Sequence, residues 1–225
     1  MFIKKLLSAI FGLAFMLPFV THAEVITLST AQSRFEPTSL NQGWWGDRGD
    51  FNHDENDNHL TGFLGYETRS FYTFDFSGVK GKIKSARINL MRGEQSDDVT
   101  LRFWDVSTNA EIVNKTLFHD QSIYIDLGTG KSYGSFVVSY GADRTDRLGF
   151  ELNSKAIRDM RKQSGFFTVG ASVLESEYIF SRSGGNVVFL TLDVQPTRVP
   201  EPSSIALMTL AVAGLAYSRR RRTNK

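Results

Sequence analysis

The chain has 225 residues, of which 26 are Lys or Arg and 24 are Asp or Glu, and it contains no cysteine. Without thiols it has no cysteine nucleophile, no disulfide and no Cys-based zinc site. Residues 1–23 hold two lysines and no acid, and residues 203–225 hold four arginines, one lysine and no acid, so 24–202 keep 19 basic and 24 acidic residues, a net charge of −5. A body of that sign lacks the broad basic face of a nucleic-acid-binding protein, and its roughly 180 residues suffice for one domain with its own core. Eighteen phenylalanines point to an aromatic interior.

Lys4 and Lys5 precede an apolar stretch, Leu6 to Val20, and Thr21-His22-Ala23 puts small residues at both cleavage-critical positions. This is the pattern of a signal peptide over 1–23, with cleavage expected before Glu24. From there the pattern alternates with period two. Val25 to Leu28 reads as a first strand. Along Arg69–Phe76, Ser70, Tyr72, Phe74 and Phe76 face one way. Ala86, Ile88 and Leu90 share a face, as do Val99, Leu101 and Phe103, with Trp104 on the opposite one. Ile123, Ile125 and Leu127 alternate, then Phe136, Val138 and Tyr140, then Leu148, Phe150 and Leu152, then Phe167, Val169, Ala171 and Val173. Tyr178–Phe180 and Val187–Val194 close the series.

Ser77-Gly78, Arg92-Gly93, Gly128-Thr129-Gly130 and Gly184-Gly185 supply turns between these runs. Many short strands at such spacing predict an all-β antiparallel sandwich over 24–194. One short helix interrupts it, with Ser154 as cap, Ala156, Ile157 and Met160 on one face and Gly165 at its end.

A linker, 195–198, leads to Val199, Pro200, Glu201 and Pro202. Ser203 and Ser204 can cap a helix that the prolines cannot join. Ile205 to Tyr217 is uncharged and as a helix reaches roughly 20 Å, short of a bilayer core of about 30 Å unless flanking residues help. Arg219, Arg220, Arg221 and Arg222 form a cytoplasmic anchor under the positive-inside rule. The expected transmembrane helix spans about 204–218, with a basic tail at 219–225.

This tail resembles the PEP-CTERM sorting signal: a Pro-Glu-Pro box, a hydrophobic helix and a basic cluster, in that order. The resemblance implies export across the inner membrane of a Gram-negative bacterium and transient anchoring there. It further implies processing by an exosortase-type enzyme, then residence at the cell surface or in the extracellular matrix. The body carries a second likeness. Arg69-Ser70-Phe71-Tyr72-Thr73-Phe74-Asp75-Phe76-Ser77, followed by Ser85-Ala86-Arg87-Ile88-Asn89-Leu90, is similar to DNRLRE-type exported domains. That resemblance implies a jelly-roll-like fold in a group that includes polysaccharide-associated and carbohydrate-binding modules. Asp75 reads as structural, because an Asp side chain readily binds the amides of a following turn.

The chemistry-bearing candidates gather in Gly43–His59. Asp50, Asn52, Asp54 and Asn56 alternate with the oxygen density that suits a structural Ca²⁺, although the Gly and the closing Glu of an EF-hand loop are absent. A solvated loop is the competing reading, and zinc through His53 and His59 lacks an evident third ligand. Trp44, Trp45 and Trp104 are candidates for stacking on sugar rings, against the alternative that they are buried. No Gly-x-Ser-x-Gly elbow, Walker loop or His-Glu-x-x-His motif occurs. Asp97, Asp98, Glu175 and Glu177 are the carboxylates a glycosidase reading would draw on. The expected function is therefore a non-catalytic surface or matrix protein that contacts extracellular polysaccharide. The alternatives are a glycan hydrolase or lyase, or a purely structural biofilm component.

Overall fold

The computed structural model describes residues 23–31, 34–35, 40–49, 59–63, 65–114, 119–141, 143–174, 177–180 and 186–196, and the single positions 209, 212, 214 and 215. Among the described residues the regular structure is mostly β. Its strands are β1 (Glu24–Ser29), β2 (Gln42–Gly46), β3 (Leu60–Phe63), β4 (Glu67–Asp75), β5 (Lys82–Met91) and β6 (Glu94–Gln95), then β7 (Val99–Asp105), β8 (Ser132–Val138), β9 (Arg147–Glu151), β10 (Phe166–Ser172), β11 (Tyr178–Phe180) and β12 (Phe189–Gln195). Three short helices accompany them: α1 (Ala110–Val113), α2 (Gln121–Asp126) and α3 (Ser154–Met160).

The strands form two antiparallel sheets. The smaller has the order β1-β12-β5-β9; the larger has β6-β11-β3-β4-β10-β7-β8, with β2 also paired to β4. Four pairings nest inside one another along the chain: β1 with β12, β4 with β10, β5 with β9 and β7 with β8. Their long-range closure is what alternating apolar residues on many strands make possible, since each strand buries one face against a distant partner.

One core cluster draws on both sheets. Tyr72, Phe74 and Phe76 of β4 and its end meet Ile88 and Leu90 of β5, Leu101 and Phe103 of β7, Phe150 of β9, Val169 of β10 and Leu190 and Leu192 of β12. Phe103, Phe136 and Phe150 form a ring cluster with centroids 5.1–6.0 Å apart. A second cluster covers the other face of the larger sheet: Trp45 and Phe71 pack against Val113, Ile123, Tyr124 and Leu127. β4 is therefore buried on both faces. The alternation that placed Phe71 and Thr73 opposite the core was right about direction and silent about the second layer.

That layer is where sequence and structure part. The run Ile123-Ile125-Leu127 was expected to be a strand, and it is α2. Asp120 caps it by accepting from the Ser122 amide at 2.8 Å. Ile123, Tyr124 and Leu127 are buried while Ile125 is 49% exposed. Helical spacing i, i+1, i+4 shares positions 123 and 127 with a strand reading, so period alone could not separate them. Arg69 holds the helix from below. Its Nη1 donates to the Tyr124 and Ile125 carbonyls at 3.1 and 3.2 Å, and its guanidinium lies 4.1 Å from the Tyr124 ring centroid. Terminal carbonyls of a helix carry partial negative charge, so a cation is stabilising there.

Other expectations shift by smaller amounts. Three helices stand among the described residues of 24–194, where one was expected. Asn153, not Ser154, caps α3 by accepting from the Lys155 and Ala156 amides, and the helix ends before Gly165. β8 stops at Val138 and leaves Tyr140 exposed. β12 runs to Gln195, one residue into the stretch read as linker.

Gly170 of β10 lies directly under the end of α2. A Cβ there would sit 2.9 Å from the Leu127 Cα and carbonyl carbon, and closer still to its oxygen. Backbone cannot swing away as a side-chain tip can. Gly170→Ala is expected to lower stability by about 1–3 kcal/mol through overpacking. An unchanged urea midpoint would mean that α2 is not fixed over β10.

Candidate functional site

The three tryptophans have different fates. Trp45 is fully buried beneath α1 and α2, with its Nε1 donating to the Val113 carbonyl at 3.0 Å. Trp44 is also buried, its ring 6.0 Å from that of Tyr66. Neither offers a free ring face to a sugar, which corrects the stacking expectation for both. They lie on β2, a strand the sequence pattern did not reveal, and pairing with β4 carries them inside. Trp104 is half-buried on β7, and its indole N–H donates to Ser172 Oγ at 2.8 Å.

Asp50, Asn52, His53, Asp54 and Asn56 lie outside the described residues, as do Pro200, Glu201 and Pro202 and the four arginines 219–222. His59 is described and is fully buried, its ring edge-on to Tyr72 at 5.7 Å. Among the described residues no group of three His, Cys, Asp or Glu side chains stands close enough to hold a metal ion.

An open cleft of about 440 Å³ lies elsewhere, between the β7–α1 loop and the start of β10. Phe35 and Phe166 form one wall, their centroids 4.8 Å apart and their planes tilted by 58°. Ser107, Thr108, Asn109, Glu111, Gln163 and Thr168 supply the polar lining. Several of these groups are fixed from behind. Asp126 of α2 accepts from the Ser107 and Thr108 amides at 2.9 and 2.8 Å and from their hydroxyls at 2.9 and 2.7 Å. Asn109 caps α1 by accepting from the Glu111 amide at 2.8 Å, and Thr168 shares its hydroxyl with Thr73 at 2.9 Å. The result is a largely polar surface, fixed from behind and bordered by one aromatic pair. Among the described residues Glu111 is the one carboxylate in the lining. Asp126, behind the lining, is engaged by four donors.

Asp75 behaves as the sequence suggested. Its Oδ1 accepts from the Ser77 amide at 2.8 Å, and its Oδ2 lies 3.3 Å from the Arg34 guanidinium. Hydrogen bonds from Ser77 hold its carboxyl below the ordinary range.

A shallow groove of about 310 Å³ runs beside α3, lined by Lys131, Lys155, Arg158, Asp159 and Lys162. Asp159 accepts from Lys131 Nζ at 2.9 Å and from the Tyr133 hydroxyl at 3.2 Å. Burial pushes the Asp159 carboxyl up, but the hydrogen bond and charge of Lys131 outweigh it and hold the group low. Lys155, Arg158 and Lys162 recur at helical spacing opposite the buried Ala156, Ile157 and Met160. That spacing is legible in the sequence. The cleft had no such signal, because its residues come from three distant segments.

Residues 198–222 match the family description PEP-CTERM protein-sorting motif. The chain carries a PEP-CTERM sorting signal. A protein with this motif is exported and sorted at the membrane towards the cell surface. No curated protein matches the chain. Among the described residues no helix is long and apolar enough to cross a membrane; within the matched tail, Thr209, Val212, Gly214 and Leu215 are helical.

Proposed function

We propose that this is a non-catalytic surface or matrix protein, carried out by a signal peptide over 1–23 and anchored briefly by a transmembrane helix near 204–218. An exosortase-type enzyme releases it at the Pro-Glu-Pro box. The observation that carries the reading is the sorting motif at 198–222. β1 starts at Glu24, the residue that follows the expected signal-peptide cut, which supports that boundary. Alanine at Pro200, Glu201 and Pro202 together should leave the protein in the inner-membrane fraction. Normal release of that variant would defeat the assignment.

The body is proposed to be a jelly-roll sandwich. The four nested pairings support this, since a long hairpin rolled across two sheets pairs its strands from the outside inwards. Its ligand is exopolysaccharide, held in the Phe35–Phe166 cleft, with the half-buried Trp104 as a second contact. The full chain should bind the producer's own exopolysaccharide. Replacing Phe35 and Phe166 by alanine should weaken binding about tenfold per ring, the equivalent of about 1.4 kcal/mol each. Undiminished binding by the double variant would remove the cleft from the proposal. Loss of binding in EDTA would support Ca²⁺ at Asp50, Asn52, Asp54 and Asn56, and EDTA-insensitive binding would count against it.

A further inference from the structure

Both ends of the body leave the smaller sheet at one place. Glu24, the first residue of β1, pairs with Val194, and Lys82, the first residue of β5, pairs with Gln195 at the end of β12. Neighbouring strands lie about 4.8 Å apart, so the two exits are within about 10 Å of each other. The surface around them is basic, within a body whose net charge is −5. Lys80, Lys82 and Lys84 are exposed at the start of β5. Arg161 brings the end of α3 to the same place: its Nε donates to the Ile83 carbonyl at 2.7 Å, and Nη2 donates to the same oxygen. Lys162 follows, and the groove along α3 continues the patch with Arg158, Lys155 and Lys131.

Acidic groups offset this patch only in part. Asp159 and Asp105 are both drawn to Lys131, at 2.9 and 3.4 Å, and Asp75 is paired with Arg34. Among the described residues, Glu24 and Asp193 are the other carboxylates on the strand ends there. The sequence sets how far this end can stand from a bilayer. From Gln195 to Ile205, where the apolar run begins, an extended chain spans at most about 35 Å.

We infer that this basic end lies on anionic lipid headgroups while the sorting tail is still attached. The inference rests on the proposed anchoring of the tail. It adds an orientation: the sheet ends and α3 face the membrane, and the Pro-Glu-Pro box is kept in the headgroup zone, where a membrane-embedded enzyme meets it. Attraction of lysines to an anionic surface falls off within a Debye length and is weakened by salt. A basic patch alone is a weak anchor, so cutting the tail also frees the body.

The test uses the full chain reconstituted into vesicles of phosphatidylcholine, with or without phosphatidylglycerol. A membrane-impermeant acylating reagent reports on each lysine by mass spectrometry. Lys80, Lys82, Lys84 and Lys162 are expected to react several-fold more slowly on the anionic vesicles, with the rates restored by high salt. Changing Lys80, Lys82 and Lys84 to Glu should return Lys162 to its rate on neutral lipid. Equal rates on both lipids overturn the inference. Protection by a carboxylated polysaccharide on neutral vesicles, without protection by phosphatidylglycerol, overturns it in favour of a glycan contact. A chain washed off by alkaline carbonate defeats the anchoring reading and this inference with it, whereas a retained but unprotected chain defeats the inference alone.

Discussion

Trp45→Ala is expected to lower the unfolding free energy by about 3–5 kcal/mol, the range for truncating a large buried aromatic side chain. The indole is fully buried between the outer face of the larger sheet and the two helices that cover it. Removing it takes the central contact from Phe71, Val113, Ile123 and Leu127. It also leaves the Val113 carbonyl, at the end of α1, without the indole donor. A buried acceptor stripped of its partner adds roughly 1–3 kcal/mol of its own, so the upper part of the range is expected. Trp45→Phe keeps most of the apolar contact and loses the hydrogen bond, and should cost distinctly less. Urea unfolding of both variants decides the matter. Equal and small losses for the two would mean that α1 and α2 contribute little to the fold. Glycan affinity supplies an independent control, because Trp45→Phe should leave it unchanged if the sugar sits in the Phe35–Phe166 cleft.

The same residue shows where sequence reasoning stops. Period-two alternation exposed β4, β5, β7, β9 and β10, since each buries a regular file of side chains in a shared core. It could not say that β4 is covered twice. Phe71 looks outward by alternation, and only the arrival of α1 and α2 from later in the chain buries it. β2 was missed because Gly43-Trp44-Trp45-Gly46 has no polar position to mark a face, and all of it is buried. α2 was misread because Ile123 and Leu127 satisfy two periods at once. The cleft was illegible for a different reason: Phe35, Ser107 and Phe166 become neighbours only when β10 pairs with both β4 and β7. The tail needed no folding to be read, since box, apolar run and arginines are contiguous. Its family match covers those residues and leaves the body to be argued from geometry.

Lowering the pH from 7 to 4.5 should remove most of about 3 kcal/mol of stability, and His59 is the cause. Burial drives the imidazole pKa from its ordinary 6.5 down to about 4. The backbone of Met91 opposes the shift without forming a well-aligned hydrogen bond, and neither ring nitrogen has a side-chain partner. Beside it stands Tyr72, whose hydroxyl burial pushes up and so keeps neutral, with the hydroxyls of Thr61 and Ser70 near that phenol. None of these compensates a positive charge. The folded state therefore binds the proton more weakly than the unfolded chain does. The stability is fully present above pH 6.5 and drains away as the pH falls towards the folded value near 4. Hydrogen bonds from Ser77, Ser122 and Thr145 hold the carboxyls of Asp75, Asp120 and Asp143 low, so their contributions disappear only below the ordinary carboxylate range. The two windows are thus separable in a series of urea titrations. His59→Leu should flatten the slope between pH 6.5 and 4.5 and leave the steeper acid limb in place. A variant with the original slope would assign that loss to another group and would mean that protonated His59 reaches water without unfolding the strand ends around it.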